Sequence, residues 1–160
     1  MCRARGTLSL CILMLFCSTG WTGTEIQEIY ESSYYNNNDG LLAVDNSTNT
    51  CFESGRERAP WLALNMAALT SVKGVFIQGL LAPMGYSVSV MTGCDRIGRS
   101  LNCRVTQHCV YQDVMPTWES HDTYVTFDCG RSLNGTHINI AAVENKIVKK
   151  LRLCDIQFMV

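Results

Sequence analysis

Tyr86-Ser87-Val88-Ser89-Val90 alternates apolar and polar residues with the period of a half-buried strand, in which successive side chains point to opposite faces. The same alternation recurs in Tyr124-Val125-Thr126-Phe127 and His137-Ile138-Asn139-Ile140. Shorter runs follow in Leu151-Arg152-Leu153 and Ile156-Gln157-Phe158. Upstream, Trp61-Leu62-Ala63-Leu64 enters a strand after Pro60, and residues 72–81 read as a second one. Clusters of Gly, Asn, Asp and Pro separate these runs and supply the turn conformations that β-branched residues resist. Residues 34–40, with three consecutive Asn, read as a loop, and residues 21–33 read as a poorly packed lead-in. No internal repeat and no sustained amphipathic helix is visible. The spacing predicts an all-β sandwich or jelly roll.

The chain has 160 residues, 47% of them apolar and 17% charged, with 13 Lys and Arg against 14 Asp and Glu. Arg3 and Arg5 precede the apolar run Leu8–Phe16, and the small residues Ser18 and Gly20 follow it. That order is the pattern of a secretory signal peptide over residues 1–20. The run is too short to cross a bilayer, so no transmembrane segment is expected. Removing the leader takes away Arg3 and Arg5 and leaves a net charge of −3. A chain without basic excess has nothing with which to neutralise phosphates, which argues against a nucleic-acid partner. Residues 21–40 are expected as a lead-in and residues 41–160 as one domain.

Three of the nine cysteines, Cys2, Cys11 and Cys17, leave with the leader. Six remain: Cys51, Cys94, Cys103, Cys109, Cys129 and Cys154. An even set in an exported chain predicts up to three disulfides. The sequons at Asn46 and Asn134 agree with export. The expected location is extracellular.

Ala43-Val44-Asp45-Asn46-Ser47, then Thr50-Cys51, then Ala59-Pro60-Trp61-Leu62-Ala63-Leu64-Asn65-Met66 resembles the N-terminal half of the F-type lectins (fucolectins). Leu151-Arg152-Leu153-Cys154-Asp155-Ile156 is similar to the closing strand of that family, and the resemblance covers roughly residues 41–160. It implies a disulfide-stabilised, discoidin/F-type lectin-like β-sandwich. It also implies the pairings Cys51–Cys154 and Cys109–Cys129, leaving Cys94 and Cys103 for a local loop. Cys94–Cys109 with Cys103–Cys129 is the alternative. Closing a loop of about 100 residues through Cys51–Cys154 would stabilise by ~4–5 kcal/mol in the chain-entropy model.

The resemblance places the family's fucose site on a His after the first half-cystine and on two Arg of a following loop. Here the His position is Glu53, and residues 75–86 contain no Arg, Lys or His. Ring hydroxyls need converging donors, so fucose binding by the family's mechanism is not expected. The candidate ligand site is Glu53, Arg56, Arg58, Gln78, Leu80 and Leu81, and the candidate partner is a glycan or cell-surface glycoprotein. The alternative is an interaction domain without sugar binding, in which the apolar loop Leu80-Leu81-Ala82-Pro83-Met84 holds a partner. That domain could stand alone or form the N-terminal module of a longer receptor.

The resemblance further implies a structural Ca²⁺. Asp45 and Asp155 would supply carboxylates, Thr50 a hydroxyl, and Leu42, Ser47, Thr50 and Cys154 carbonyls, an all-oxygen shell suited to a hard cation. Asn46 stands where the family has a Gly that takes a positive φ, a conformation Asn tolerates better than most residues. Catalysis is not expected. His108, His121 and His137 are scattered, and no nucleophile, phosphate-loop or zinc-protease motif is present. Oxidising export favours disulfides over a zinc site at Cys103, His108 and Cys109. Lys146, Lys149, Lys150 and Arg152 read as a solvated basic stretch.

Overall fold

The computed structural model describes residues 25–79, 85–98, 100–112, 124–143 and 150–160. The expected leader, the loop from Leu80 to Met84, His121, Lys146 and Lys149 lie outside them. Among the described residues eight strands follow one another: β1 (Ile26–Glu31), β2 (Phe52–Glu53), β3 (Trp61–Gln78), β4 (Tyr86–Ile97), β5 (Ser100–Gln112), β6 (Tyr124–Ala142), β7 (Arg152–Leu153) and β8 (Asp155–Met159). A 3-10 turn, Gly40–Ala43, lies between β1 and β2. The main sheet runs β1-β3-β6-β4-β5, with β8 also on β3, and β2 pairs with β7 apart from it. Every pairing is antiparallel. The all-β expectation holds.

The long ribbon β3–β6 organises the sandwich. Its first part, Trp61–Asn65 against His137–Ala141, is flanked by β1 on one side and β4 on the other. Its second part, Gly74–Gln78 against Tyr124–Asp128, is flanked by β8. Leu62, Leu64, Met66 and Val72 occupy even positions in the core, whereas Val75 and Ile77 occupy odd ones. The register shifts between Val72 and Gly74, where Cys129–Ser132 of β6 stand opposite Lys73 alone. A strand has a side-chain period of two, so one irregularity moves the apolar set from one parity to the other. Both parts of β3 therefore face one core, closed by Val88, Val90, Phe127, Leu133, Ile138, Ile140, Leu151, Leu153, Ile156 and Phe158.

Several sequence expectations are corrected by this architecture. Residues 26–31 are not poorly packed: β1 pairs with β3 from Ile26↔Met66 to Glu31↔Leu62, and Ile26 and Ile29 pack against the core. The runs at 61–64 and 72–81 are one strand, β3, which ends at Gln78. The intervening Ala67, Ala68 and Leu69 are exposed where the register shifts between Asn65 and Thr70, so the inward apolar pattern lapses there without ending the strand. Likewise β6 runs through both alternating segments and the sequon at Asn134. β5 carries too many exposed polar residues to stand out by periodicity, and pairing with β4 defines it. The loop at 34–40 is as expected, with Asn36 and Asn37 both at positive φ.

Three disulfides tie these elements: Cys51–Cys154, Cys94–Cys103 and Cys109–Cys129. The local pairing of Cys94 with Cys103, opposite each other in the β4–β5 register, settles the connectivity that the sequence left open.

Two outcomes follow from the packing. Replacing Cys51 and Cys154 together by Ser releases a loop spanning 103 residues. It should cost about 4–5 kcal/mol in denaturant unfolding, if chain entropy dominates. Gly135→Ala places a Cβ 2.4 Å from Val90 Cγ1 and 2.8 Å from the Met91 carbonyl. That overpacking should lower stability by roughly 1–3 kcal/mol in the same assay, while leaving the sequon intact.

Candidate functional site

The Cys51–Cys154 disulfide gathers one end of the sandwich. Residues on either side of it form the small ribbon, Phe52↔Leu153 and Glu53↔Arg152. The ribbon is prolonged by buried Ser54, whose backbone N–H donates to Leu151 O at 2.9 Å while its Oγ accepts from Leu151 N at 2.8 Å. Gln78 reaches the same place: its carbonyl accepts from Cys154 N at 2.9 Å. Gly79 follows at φ +63°, and a Cβ there would lie 2.3 Å from Cys154 Sγ. The chain therefore enters the 80–84 segment pressed against the disulfide. Of the candidate ligand residues, the structure brings Glu53 and Gln78 to one end, whereas Leu80 and Leu81 lie outside the described residues.

Glu53 is not an isolated acceptor. Lys150 Nζ donates to its carboxylate, and the ammonium lies 3.9 Å from the centre of the Tyr35 ring. Tyr35 is held there by its backbone N–H, which donates to Glu53 O at 2.8 Å. On the other side of the Asn turn, Glu53 N donates to Asn38 O at 3.0 Å. The left-handed Asn36 and Asn37 turn the chain between these two bonds, a conformation Asn adopts at low cost. Arg152 adds a second cation, with Nη2 3.4 Å from Cys51 Sγ. The result is an aromatic ring, an ammonium and a carboxylate stacked in order. Lys150 is half-buried in this cluster, so the expectation of a solvated lysine is corrected. Its place follows from the β2–β7 pairing, which no local pattern in the sequence announces. Tyr35 was likewise missed, because a Tyr beside an Asn run carries no signal until the turn is seen to fold onto β2.

Arg56 and Arg58 are exposed on the neighbouring loop. Glu57 between them anchors it, accepting from Ser32 Oγ at 2.6 Å and from Ser33 Oγ. Ser32 Oγ in turn accepts from Trp61 N at 3.0 Å, and Ser33 Oγ from Gly55 N at 3.0 Å. Alternation of roles in Arg56-Glu57-Arg58 thus has a physical basis: the acid holds the backbone and the two guanidiniums face outward.

Around the candidate cation position, Asp45 closes its own turn. Oδ1 accepts from Ser47 N at 2.9 Å and Oδ2 from Thr50 Oγ1 at 2.6 Å. Asn46 takes φ +59°, the left-handed conformation expected at this position from the resemblance to the F-type lectins. Thr50 precedes Cys51 and Asp155 follows Cys154, so the disulfide draws the two stretches together. Asp155 is buried, with Oδ2 accepting from Gln157 Nε2 at 2.9 Å. Its Oδ1 is shut away from solvent with no hydrogen-bond partner among the described residues. A buried carboxylate oxygen without a donor is what an oxygen-seeking cation would satisfy. Among the described residues no three acidic, His or Cys side chains converge, so carbonyls would have to complete the shell.

The two described histidines each lie against a neighbouring hydroxyl, His108 exposed and His137 buried. His108 Nδ1 lies 2.9 Å from Ser89 Oγ, and His137 Nδ1 lies 2.9 Å from Thr136 Oγ1. Burial holds the His137 imidazole below its ordinary pKa, with the Glu28 charge pulling the other way. Cys103 and Cys109 are both in disulfides, which removes them from the zinc reading.

No family model matches the chain, and no curated protein matches it. Solved structures do. A chitosan-binding module 1 from a chitosanase/glucanase of Paenibacillus sp. IK-5 superposes with a TM-score of 0.63 at 12% identity, over 82% of this chain and 93% of that one. A family 32 CBM from C. perfringens NanJ, in complex with galactose, gives 0.62 at 12% identity over 82% and 91%. An F-lectin (fucolectin) from the serum of Morone saxatilis, the striped bass, gives 0.64 at 16% identity over 82% of this chain and 44% of that one. The two-part core, the antiparallel ribbon and these likenesses agree on one architecture: the chain has the discoidin-like β-sandwich fold.

Proposed function

We propose that the chain is an exported, non-catalytic glycan-recognition module, a divergent relative of the F-type lectins, whose ligand lands on the disulfide-linked end of the sandwich. The observation that carries this reading is the Tyr35–Lys150–Glu53 stack beside Cys51–Cys154. It stands where the resemblance puts the family's sugar site. Lys150 covers one face of the Tyr35 ring, and the opposite face of this 46% exposed side chain is the one to pack against the C–H face of a pyranose, while the ammonium and the carboxylate offer a directional donor and acceptor to ring hydroxyls. The solved carbohydrate-binding modules and lectin of the same fold support the class of ligand. Lys150, Arg152, Arg56 and Arg58 outnumber Glu53 and the internally bonded Glu57, which favours glycans bearing acidic groups. Fucose by the family's own mechanism is disfavoured, since Glu53 replaces its His and the described part of the following segment adds no cation.

Export is supported by the leader pattern and the three disulfides. It is supported too by sequons at Asn46 and Asn134, both exposed and open to glycosylation. A structural Ca²⁺ belongs to this reading. Asp45, Thr50 and Asp155 would hold it, with the carbonyls of Leu42, Ser47, Thr50 and Cys154. It would neutralise the orphaned Asp155 oxygen and fix the loop that leads to Cys51.

Two measurements check these statements. On a glycan array, Tyr35→Ala and Lys150→Ala should each weaken the strongest signal by about tenfold or more, the loss expected for one charge-assisted or stacking contact. Free L-fucose should compete no better than glucose. Saturable fucose binding at submillimolar sugar, or unchanged array signals in both variants, would overturn the site. For the cation, Ca²⁺ at about 100 times its Kd should add ~2.7 kcal/mol of stability over EDTA. Asp155→Asn should remove that increment, and an unchanged melt of the wild-type chain in Ca²⁺ would refute the metal.

A further inference from the structure

Away from the disulfide end, a groove of about 690 Å³ runs beside β1. All six residues of β1 line it, from Ile26 to Glu31. Neighbouring strand residues point to opposite faces. A groove touching all of them therefore follows the edge of the strand and not either face. One wall is the 3-10 turn with Asp39, Gly40 and Leu41, and the other carries Arg96 from the end of β4. Arg96 lies over the Tyr30 ring at 5.5 Å, and Tyr30 stacks on His137 at 6.1 Å. That side of the groove is a built wall three groups deep.

Among the described residues β1 pairs with β3 alone, and nothing pairs with the strand edge inside the groove. Ser32 N donates to Trp61 O at 3.0 Å, which sets the phase of the antiparallel ladder. Glu28 and Tyr30 then turn their backbone groups to β3, and Ile29 and Glu31 turn theirs to the open side. Such an edge is a template for one more strand. Exposed apolar side chains gather beside it: Leu41 is 63% and Tyr34 54% exposed, both in the groove, and Ile97 next to Arg96 is 63% exposed.

Charge decides what can pair there. Among the described residues that line the groove, Glu28, Glu31 and Asp39 stand against Arg96 alone. A second copy of β1 would bring its own Glu28 and Glu31 alongside these, so self-pairing is opposed. Burial and the charge of Asp39 already push the Glu31 carboxyl above its ordinary pKa, and an incoming cation would relieve that. We propose that this groove is a docking slot for an extended, basic peptide segment that adds to the sheet as a strand beyond β1. Its backbone would meet the free groups of Ile29 and Glu31. Its Lys or Arg side chains would meet Glu28, Glu31 and Asp39, and its apolar side chains Leu41 and Tyr34.

The test is an amide-resolved NMR titration of the secreted full chain with Lys-Val-Lys-Val-Lys-Val. Saturable shifts are expected at Ile29, Glu31 and Leu41. A Glu-Val peptide of the same length should leave those amides unmoved. N-methylation of alternate amides of the Lys-Val peptide should abolish the effect, since it removes the ladder without touching charge. The double variant Glu28→Gln, Glu31→Gln should weaken binding about tenfold, its unchanged amide spectrum elsewhere showing that the fold is kept. Equal binding of the Glu-Val or N-methylated peptide would overturn the proposal. So would absence of saturable shifts with Lys-Val, or a neutral galactoside moving the same amides in its place. None of these residues belongs to the Tyr35–Lys150–Glu53 stack, so the outcome is independent of the glycan reading.

Discussion

Cys51 and Cys154 are 103 residues apart, and their bond decides what stands next to what at one end of the molecule. Through it the two-residue strands β2 and β7 can pair at all. So short a ribbon offers few backbone hydrogen bonds and would be marginal alone. Buried Phe52, Leu151 and Leu153 seal it to the core. Glu53, Lys150 and Arg152 come together only because this ribbon holds its register. Gly79 shows how little room the arrangement leaves, since any side chain there would collide with Cys154 Sγ. The same bond brings Thr50 towards Asp155, so the candidate glycan and cation sites share one covalent support.

The other organising constraint is the continuity of β3 and β6. Two separate hairpins would need more connections and would expose more edges. One bent ribbon instead serves both parts of the core, at the cost of register irregularities at Asn65/Thr70 and Val72/Gly74. Those irregularities are useful. The second restores the inward parity of Val75 and Ile77. It also leaves Cys129 in the bulged part of β6, where it bonds Cys109 of β5. The β4–β5 hairpin is closed by Cys94–Cys103, which braces the end that carries Arg96 towards β1.

Polar groups in the molecule fall into two kinds. Ser32, Ser33, Ser54 and Glu57 are consumed by backbone and by one another, and they fix the course of the chain between β1 and β3. Among the described residues, Oδ1 of Asp155 and the outer edge of β1 are not so consumed. A buried oxygen without a donor is costly to keep, and an unpaired strand edge is a template for another strand. They are therefore the places where the structure has capacity for a ligand.

Local chemistry in the sequence determined a good deal: the β class, from alternation in Tyr86–Val90 and His137–Ile140; the Asn turn at 34–40; and the even set of six cysteines. Alternation is a property of neighbouring residues, and so it survives without knowledge of the fold. Tertiary structure decided the rest. β1 has only Ile26 and Ile29 as inward apolar residues, and it is a strand because β3 offers it a partner. β5 is mostly exposed, and its pairing with β4 makes it one. The cysteine connectivity, the union of two predicted runs into β3, and the approach of Lys150 and Tyr35 to Glu53 all depend on contacts between residues far apart in the chain. Register and disulfide geometry create those contacts, and neither is written in any short stretch of sequence.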